Sequence, residues 1–193
     1  MDISDKDRLI LLMLSEIHEK LEINGEIDPK FVRASILNNQ LWGLAWEYAG
    51  IFLNHKENPD VVNETTEILD MYRLISTSIK KFDDVEIDQI KADAYPFSDY
   101  IEYQGFDGNN DPHLGVVEFL VRDLQRYDEL QGRETLNSHS QSTLTRYRSM
   151  LNVYRNLTKP NYPSQGLNAD QLVRKPYPYG SGTTRYGVTR GGG

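Results

Sequence analysis

Apolar residues recur at helical spacing along most of this chain. Near the N-terminus the repeat predicts an amphipathic helix, because side chains three or four residues apart share one helix face. Signals at both ends agree: Ser4, with Asp7 three residues later, forms a capping box, and Gly25 ends the helix. The repeat consists of Leu9, Ile10, Met13, Ile17 and Leu21.

Three further helix starts are marked by a capping residue followed by proline: Asp28-Pro29, Asn58-Pro59 and Asp111-Pro112. In each pair the first side chain is suited to accept a hydrogen bond from the new helix, and proline is favoured at the first helical position. The second pair opens a long helix to about Phe82, and the third opens a helix that Gly132 closes.

The remaining segments are helical as well. Asp84 to Ala94 is an acidic stretch that indicates a short helix, and Ser140 begins the last large helix, with Tyr147 and Leu151 on its inward face. Asn168 to Lys175 has room for one or two turns, and no segment alternates as a strand does. We therefore predict an all-α protein with a single domain of about six to seven helices and a flexible C-terminal tail.

Leu41 to Leu53 is the most apolar of the predicted helices and contains Trp42 and Trp46. Large exposed apolar surfaces mark contacts between subunits or with partners. These two tryptophans are therefore the predicted interface residues of a homo-oligomer or of a complex with another protein.

Composition divides the chain in two, a helical domain over 1–175 and a tail over 176–193 rich in Gly, Tyr and Arg. From Lys159 onward there are five basic residues and one acid, so the net charge of −8 separates into +4 for this end and −12 for residues 1–158. The acidic body should repel nucleic acid. The preferred interpretation of the basic end is a flexible tail. The alternatives are docking on its own acidic body and a contact with nucleic acid or an acidic partner, through Arg174, Lys175, Arg185 and Arg190.

Several classes of site are disfavoured. The chain has no Cys, which excludes disulfides and thiolate metal sites and favours the cytoplasm. The longest apolar run, Leu9 to Leu14, is too short for a membrane span or a signal peptide. Fingerprints for nucleotides and dinucleotides are missing from the sequence, so we expect no cofactor.

One stretch resembles a calcium loop, with Asp107, Asn109 and Asp111 at alternate positions and Glu118 at the twelfth. The sixth position of such a loop needs glycine for a sharp turn, and here it is Pro112. The preferred interpretation is a turn whose side chains bond their own backbone, followed by a helix capped by Asp111. Metal binding at these residues is the alternative.

Arg133 is followed by His139 in a short polar segment. This spacing resembles the active-site motif of HEPN-type ribonucleases, in which a histidine acts as base and an arginine steadies the charge on phosphorus. A polar loop between two helices, with Asn137 or Ser140 as a cap, is the simpler interpretation.

Carboxylates and arginines also recur along two helices. Glu64, Glu67 and Asp70 are spaced by three, which suits a metal site shared with a second helix but more commonly marks a solvated face. In the helix containing Tyr147, the arginines are expected to pair with the acidic body, and a grip on RNA by stacking is the less favoured alternative. They are Arg146, Arg148 and Arg155.

Five segments occur in the order typical of the YfbU family of small bacterial proteins. The chain resembles that family through RLIL, DMYRLISTS, GFDGNN, YRSMLNVYR and LNADQL, which together extend over most of residues 5–175. The resemblance implies an all-helical cytoplasmic domain that self-associates, with a loose link to bacterial stress or cell-death regulation. It brings no catalytic residues with it.

Two functions follow as expectations. The first is a non-enzymatic regulatory or protein-interaction protein of the bacterial cytoplasm, acting in a stress, cell-death or defence response. The alternative is a HEPN-like ribonuclease that uses Arg133 and His139.

Overall fold

Helices make up most of the described chain, and a computed structural model describes residues 2–55, 57–94, 101–132, 136–139, 142–159, 163 and 166–173. No strand occurs in these residues, which confirms the all-α prediction. The α-helices are α1 (Asp5–Lys20), α2 (Pro29–Leu37), α3 (Trp42–Glu47), α4 (Asp60–Ile79), α5 (Asp84–Ala94), α6 (His113–Glu118), α7 (Leu144–Thr158) and α8 (Ala169–Leu172). None of the helices in the described part combines the length and apolar character needed to cross a bilayer.

Two of the predicted caps are present. The Ser4 hydroxyl accepts a hydrogen bond from the backbone N–H of Asp7 at 3.2 Å, and the Asp28 carboxylate accepts one from the N–H of Lys30 at 2.8 Å. These bonds satisfy N–H groups that a helix start leaves without a partner. The side chains of Ser4 and Asp28 therefore fix where α1 and α2 begin.

The other two predicted caps are wrong. The Asn58 side-chain oxygen accepts from the indole N–H of Trp46 at 2.9 Å, and the Asp111 carboxylate accepts from the backbone N–H of Asp107 at 3.1 Å. Both side-chain oxygens therefore bond residues earlier in the chain, and α4 and α6 begin without a side-chain cap. Pro59 and Pro112 occupy the N-cap itself, directly before the first helical residue, so of the three prolines only Pro29 holds the predicted first helical position.

Two predicted helices are shorter or less regular than the apolar pattern indicated. The helix predicted over 41–53 ends at Glu47 and is followed by turns. The helix predicted after Pro112 changes from α to π geometry over Phe119–Asp123 and is followed by a 3-10 turn at Asp128–Leu130. Apolar spacing does not distinguish these geometries, because each keeps apolar residues on one side of the segment.

The core lies around α4, whose inner face packs on α6 and α7. At its centre is an aromatic cluster formed by Tyr72, Tyr103, Phe106 and Tyr147, with ring centroids 5.3–5.9 Å apart. Phe106 and Tyr147 are fully buried. Aromatic packing of this kind contributes roughly 0.5–1.5 kcal/mol per pair beyond the area it buries, and the Tyr72–Tyr147 pair joins α4 directly to α7.

Gly105 fixes the chain reversal that precedes α6. Its φ is +83°, and a Cβ at this position would collide with the backbone carbonyl of Leu136. The Gly105 carbonyl accepts hydrogen bonds from the hydroxyls of Thr143 at 2.8 Å and Tyr147 at 2.9 Å. The GFDGNN segment therefore has a structural role, because the carbonyl of its first residue, Gly105, is hydrogen-bonded to the first turn of α7.

A polar connection joins α4 to α6 and α7. The guanidinium of Arg148 donates two hydrogen bonds to Glu64, at 2.7 and 2.9 Å, and Nε2 of buried His113 lies 2.8 Å from the same carboxylate. The hydrogen bonds from Arg148 lower the pKa of Glu64 to about 2, against the opposing effect of burial.

A second bidentate pair joins Arg155 to Glu67. The expected pairing with the acidic body is therefore confirmed for Arg148 and Arg155. Glu64 and Glu67 stay partly exposed on α4, and both carboxylates are paired with arginines that lie far away in the sequence.

Replacing Gly105 by Ala is expected to lower the free energy of unfolding by roughly 2–4 kcal/mol. The added Cβ would collide with the Leu136 carbonyl, and alanine is strained at a φ of +83°. Gly132 is the matched control, because it has φ +79° but open space around it. Gly132→Ala should cost about 1 kcal/mol. Urea denaturation gives both values, and equal losses for the two variants would contradict the proposed role of the Leu136 contact.

Replacing Glu64 by Gln is expected to lower the free energy of unfolding at pH 7 by roughly 1–3 kcal/mol. The folded-state pKa is depressed, so the contribution of Glu64 is complete above the unfolded value near 4.5 and is lost as pH falls toward 2. The difference between wild type and variant should therefore shrink between pH 5 and pH 2. Glu118→Gln, in an exposed i,i+4 pair with Arg122, is the control and should change stability by under about 0.5 kcal/mol.

Candidate interaction surface

The inner side of α1 is anchored on α2. The Arg8 guanidinium donates to the backbone carbonyl of Ile36 at 2.6 Å, and Glu19 accepts from Arg33 at 2.9 Å near the other end of the helix. Between these two contacts, Ser15 is buried and bonds the Leu11 carbonyl. These contacts fix which side of α1 faces the body.

The outer side of α1 is apolar as well. At about 100° per residue, Ile10 and Ile17 lie nearly opposite Ser15 and point into solvent. Every large apolar side chain on this side is at least half exposed, from 50% for Ile17 to 67% for Leu21. We define the α1 outer face as Leu9, Ile10, Met13, Leu14, Ile17 and Leu21.

An apolar groove adjoins this face. Its volume is about 390 Å³, and it lies between α1, α2 and the segment that follows α3. Leu14 belongs to both the groove wall and the α1 outer face, and the opposite wall includes Ile51, which is 64% exposed. The groove and the outer face therefore form one continuous apolar surface.

Both ends of α1 carry charges of mixed sign. Its first turn carries Asp5 and Asp7 with Lys6 and Arg8, and its last turn carries Glu19 with His18 and Lys20. Acids and bases therefore nearly balance at each end, and what distinguishes the outer face is its apolar row.

A family model, the YfbU domain, matches residues 1–173. The chain belongs to the YfbU family. The matched range contains the whole of α1 to α8 and confirms the resemblance carried by the short segments of the sequence. No curated protein and no solved structure is significantly similar to the chain.

In this YfbU domain Trp42 belongs to the core of the single chain. It is 3% exposed and packs edge-on against Trp46 and Phe119, with centroids 4.9 and 5.5 Å away. Trp46 is half buried and bonds Asn58. Trp42 is therefore covered within the single chain. Among the described residues, the longest row of exposed large apolar side chains lies along α1, and others are exposed at Leu37 and Leu53.

The turn interpretation of the calcium-like segment is confirmed. The Asp107 carboxylate accepts hydrogen bonds from the backbone N–H of Asn109 at 2.9 Å and from the side chain of Asn110 at 2.6 Å. These bonds lower the pKa of Asp107, the Asn110 bond being the larger cause. Within the described residues no group of three or more His, Asp or Glu side chains is arranged to hold a metal ion.

Of the two residues of the alternative nuclease prediction, only His139 lies in the described part of the chain. His139 is exposed, has φ +51°, and donates its backbone N–H to the Asn137 side chain at 2.8 Å. Arg133 lies outside the described residues, so the convergence of the two side chains stays a prediction. The basic tail positions Arg174, Lys175, Arg185 and Arg190 lie outside the described residues as well.

The sequence pattern identified most of the α1 outer face but not its exposure. Leu11 and Leu12 make the opposite side of the helix apolar too, so spacing alone does not reveal which side packs on the body. A signal was nevertheless present, because a helix that is apolar around most of its circumference requires a second covering element.

Proposed function

We propose that this YfbU protein is a non-enzymatic interaction protein that acts as a homodimer joined through the α1 outer face. The observation that carries the proposal is the row of six large apolar side chains on α1, each at least half exposed. Exposed apolar area of this kind is rare on monomers and is typical of a contact surface.

The size of the surface supports a stable contact. Six half-exposed aliphatic side chains present on the order of 600 Å², near the upper limit for a patch on a monomer. The adjoining groove enlarges it toward the ~800 Å² that each partner buries in a typical stable interface. Covering it with a second copy removes the cost of exposing it to water.

The α1 outer face is complementary to itself, which favours a second copy of the chain as the partner that covers it. With a two-fold axis between Met13 and Leu14, antiparallel α1 helices place Ile10 opposite Ile17 of the partner subunit. The same arrangement sets Asp7 at the level of Lys20 of the partner subunit. A two-fold axis closes the contact, so it produces a dimer and no further growth.

The biological setting follows from the family. We infer a regulatory role in the bacterial cytoplasm, in a stress, cell-death or defence response, with the dimer as the form that a protein partner recognises. The acidic body, with its net charge of −12 over residues 1–158 against −8 for the whole chain, supports a protein partner over nucleic acid.

Replacing Ile17 by Glu is expected to convert the dimer to a monomer, because a charge would be buried at the centre of the contact. Val85→Glu is the matched control, since Val85 is 78% exposed on α5 and does not belong to the α1 outer face. Light scattering coupled to size exclusion gives the mass of each species. The proposal fails if wild type is a monomer at tens of micromolar, or if both variants keep the dimer mass.

The antiparallel orientation has its own test, because the chain has no natural cysteine. Met13→Cys places two thiols near the two-fold axis and should form an intersubunit disulfide on mild oxidation. In Leu21→Cys the two thiols are separated by about 15 residues of helix, or roughly 22 Å, so no disulfide should form. Efficient cross-linking of both variants would indicate parallel helices instead.

A further inference from the structure

A polar cavity of about 500 Å³ lies between α3, α4 and the segment after the π-helix, away from α1. Its lining includes Asp70 and Arg73 of α4, Trp46, and Arg126, Tyr127 and Asp128 of the segment after the π-helix. The cavity is mostly polar, carries side chains of both charges, and is open to solvent where Arg126 and Asp128 are exposed. Its volume is in the range that small-molecule sites occupy.

The backbone that forms one wall is strained. Gln125 and Tyr127 have φ of +49° and +59°, although neither is glycine, and each such residue costs on the order of 1–3 kcal/mol. They follow the π-helical segment, whose irregular turn is a feature enriched at functional sites. This conformation directs the Tyr127 ring inward, where it is 7% exposed.

Tyr127 fixes the carboxylate of Asp70. Its hydroxyl donates to Asp70 Oδ1 at 3.1 Å, and the Arg73 guanidinium lies over its ring at 4.4 Å. Arg73 is itself engaged, because it forms two hydrogen bonds with Glu129. Within the described chain Asp70 has no ion pair, and its partial burial raises its pKa. A half-buried carboxylate with spare acceptor capacity therefore borders the cavity.

Arg126 supplies the opposite charge. Its guanidinium lies 5.1 Å from the centre of the Trp46 ring, and within the described residues it forms no ion pair. The fork of N–H donors on an arginine suits a carboxylate. Asp70 and Arg126 line the same cavity without meeting within ion-pair distance, so a molecule that spans them satisfies both charges.

We propose that this cavity binds a small linear zwitterion, with its ammonium group on Asp70 and its carboxylate on Arg126. Trp46 bounds the site beside Arg126, where its ring contacts the carbon chain between the two charged ends. The assignment is independent of self-association through α1, because none of the cavity residues belongs to the α1 outer face or its groove.

The test is an NMR titration that follows the indole N–H of Trp46 in the full-length protein. The probes are glycine, β-alanine, γ-aminobutyrate and 6-aminohexanoate, which increase the separation of the charges in steps. At least one should give a saturable shift with a dissociation constant of about 1 mM or tighter. Butylamine and butyrate, which carry one charge each, should bind at least about tenfold more weakly than the best zwitterion.

Asp70→Asn and Arg126→Gln should each weaken the best probe by at least about tenfold, since either change removes one charge contact. Asn keeps an acceptor for the Tyr127 hydroxyl, so the fold at Asp70 is preserved. Arg122→Gln is the matched control, because this exposed arginine pairs with Glu118 and does not line the cavity. No saturable shift with any probe, equal binding by a singly charged probe, or unchanged affinity in the two cavity variants would overturn the proposal.

Discussion

The helix α1 has apolar side chains on two opposite sides, and the described part of the chain covers only one of them. The inner side is fixed on α2 by Arg8 and Glu19, which bond the Ile36 carbonyl and Arg33. That attachment leaves the α1 outer face in water. The hydrophobic effect is proportional to apolar area, so this exposed row is an unfavourable contribution that a covering partner removes. The proposed dimer is the consequence of this one constraint.

The opposite end of the fold is organised by close backbone packing and by ion pairs. Gly105 lets the chain approach Leu136, and its carbonyl receives the hydroxyls of Thr143 and Tyr147. Glu64 then joins α4 to α6 and α7 through His113 and Arg148. These contacts join α4, α6 and α7 without a residue of α1.

Much of the fold was predictable from the sequence, because helical spacing and two caps act locally. Ser4 and Asp28 bond N–H groups only two or three residues away, and both predictions hold. Asn58 and Asp111 carry the same side-chain chemistry but have competing partners, in Trp46 and in the Asp107 backbone. Those two predictions were wrong because another donor competes for the side-chain oxygen, from a neighbouring turn for Asp111 and from α3 for Asn58.

The candidate sites were less predictable for the same reason. The spacing of Glu64, Glu67 and Asp70 was visible, but Arg148, Arg155 and Tyr127 lie far away in the sequence. The strained backbone at Tyr127 has no sequence signal, because tyrosine rarely adopts positive φ. The periodicity of α1 was visible as well, whereas its exposed side depended on how α2 packs.

Hydrogen exchange measured over a dilution series tests the central claim most directly. If the α1 outer face is buried between two copies, protection of the α1 amides should rise with protein concentration, while protection of α4 amides in the core stays constant. Protection of α1 that is the same at all concentrations, in a protein whose mass is that of one chain, would contradict the account.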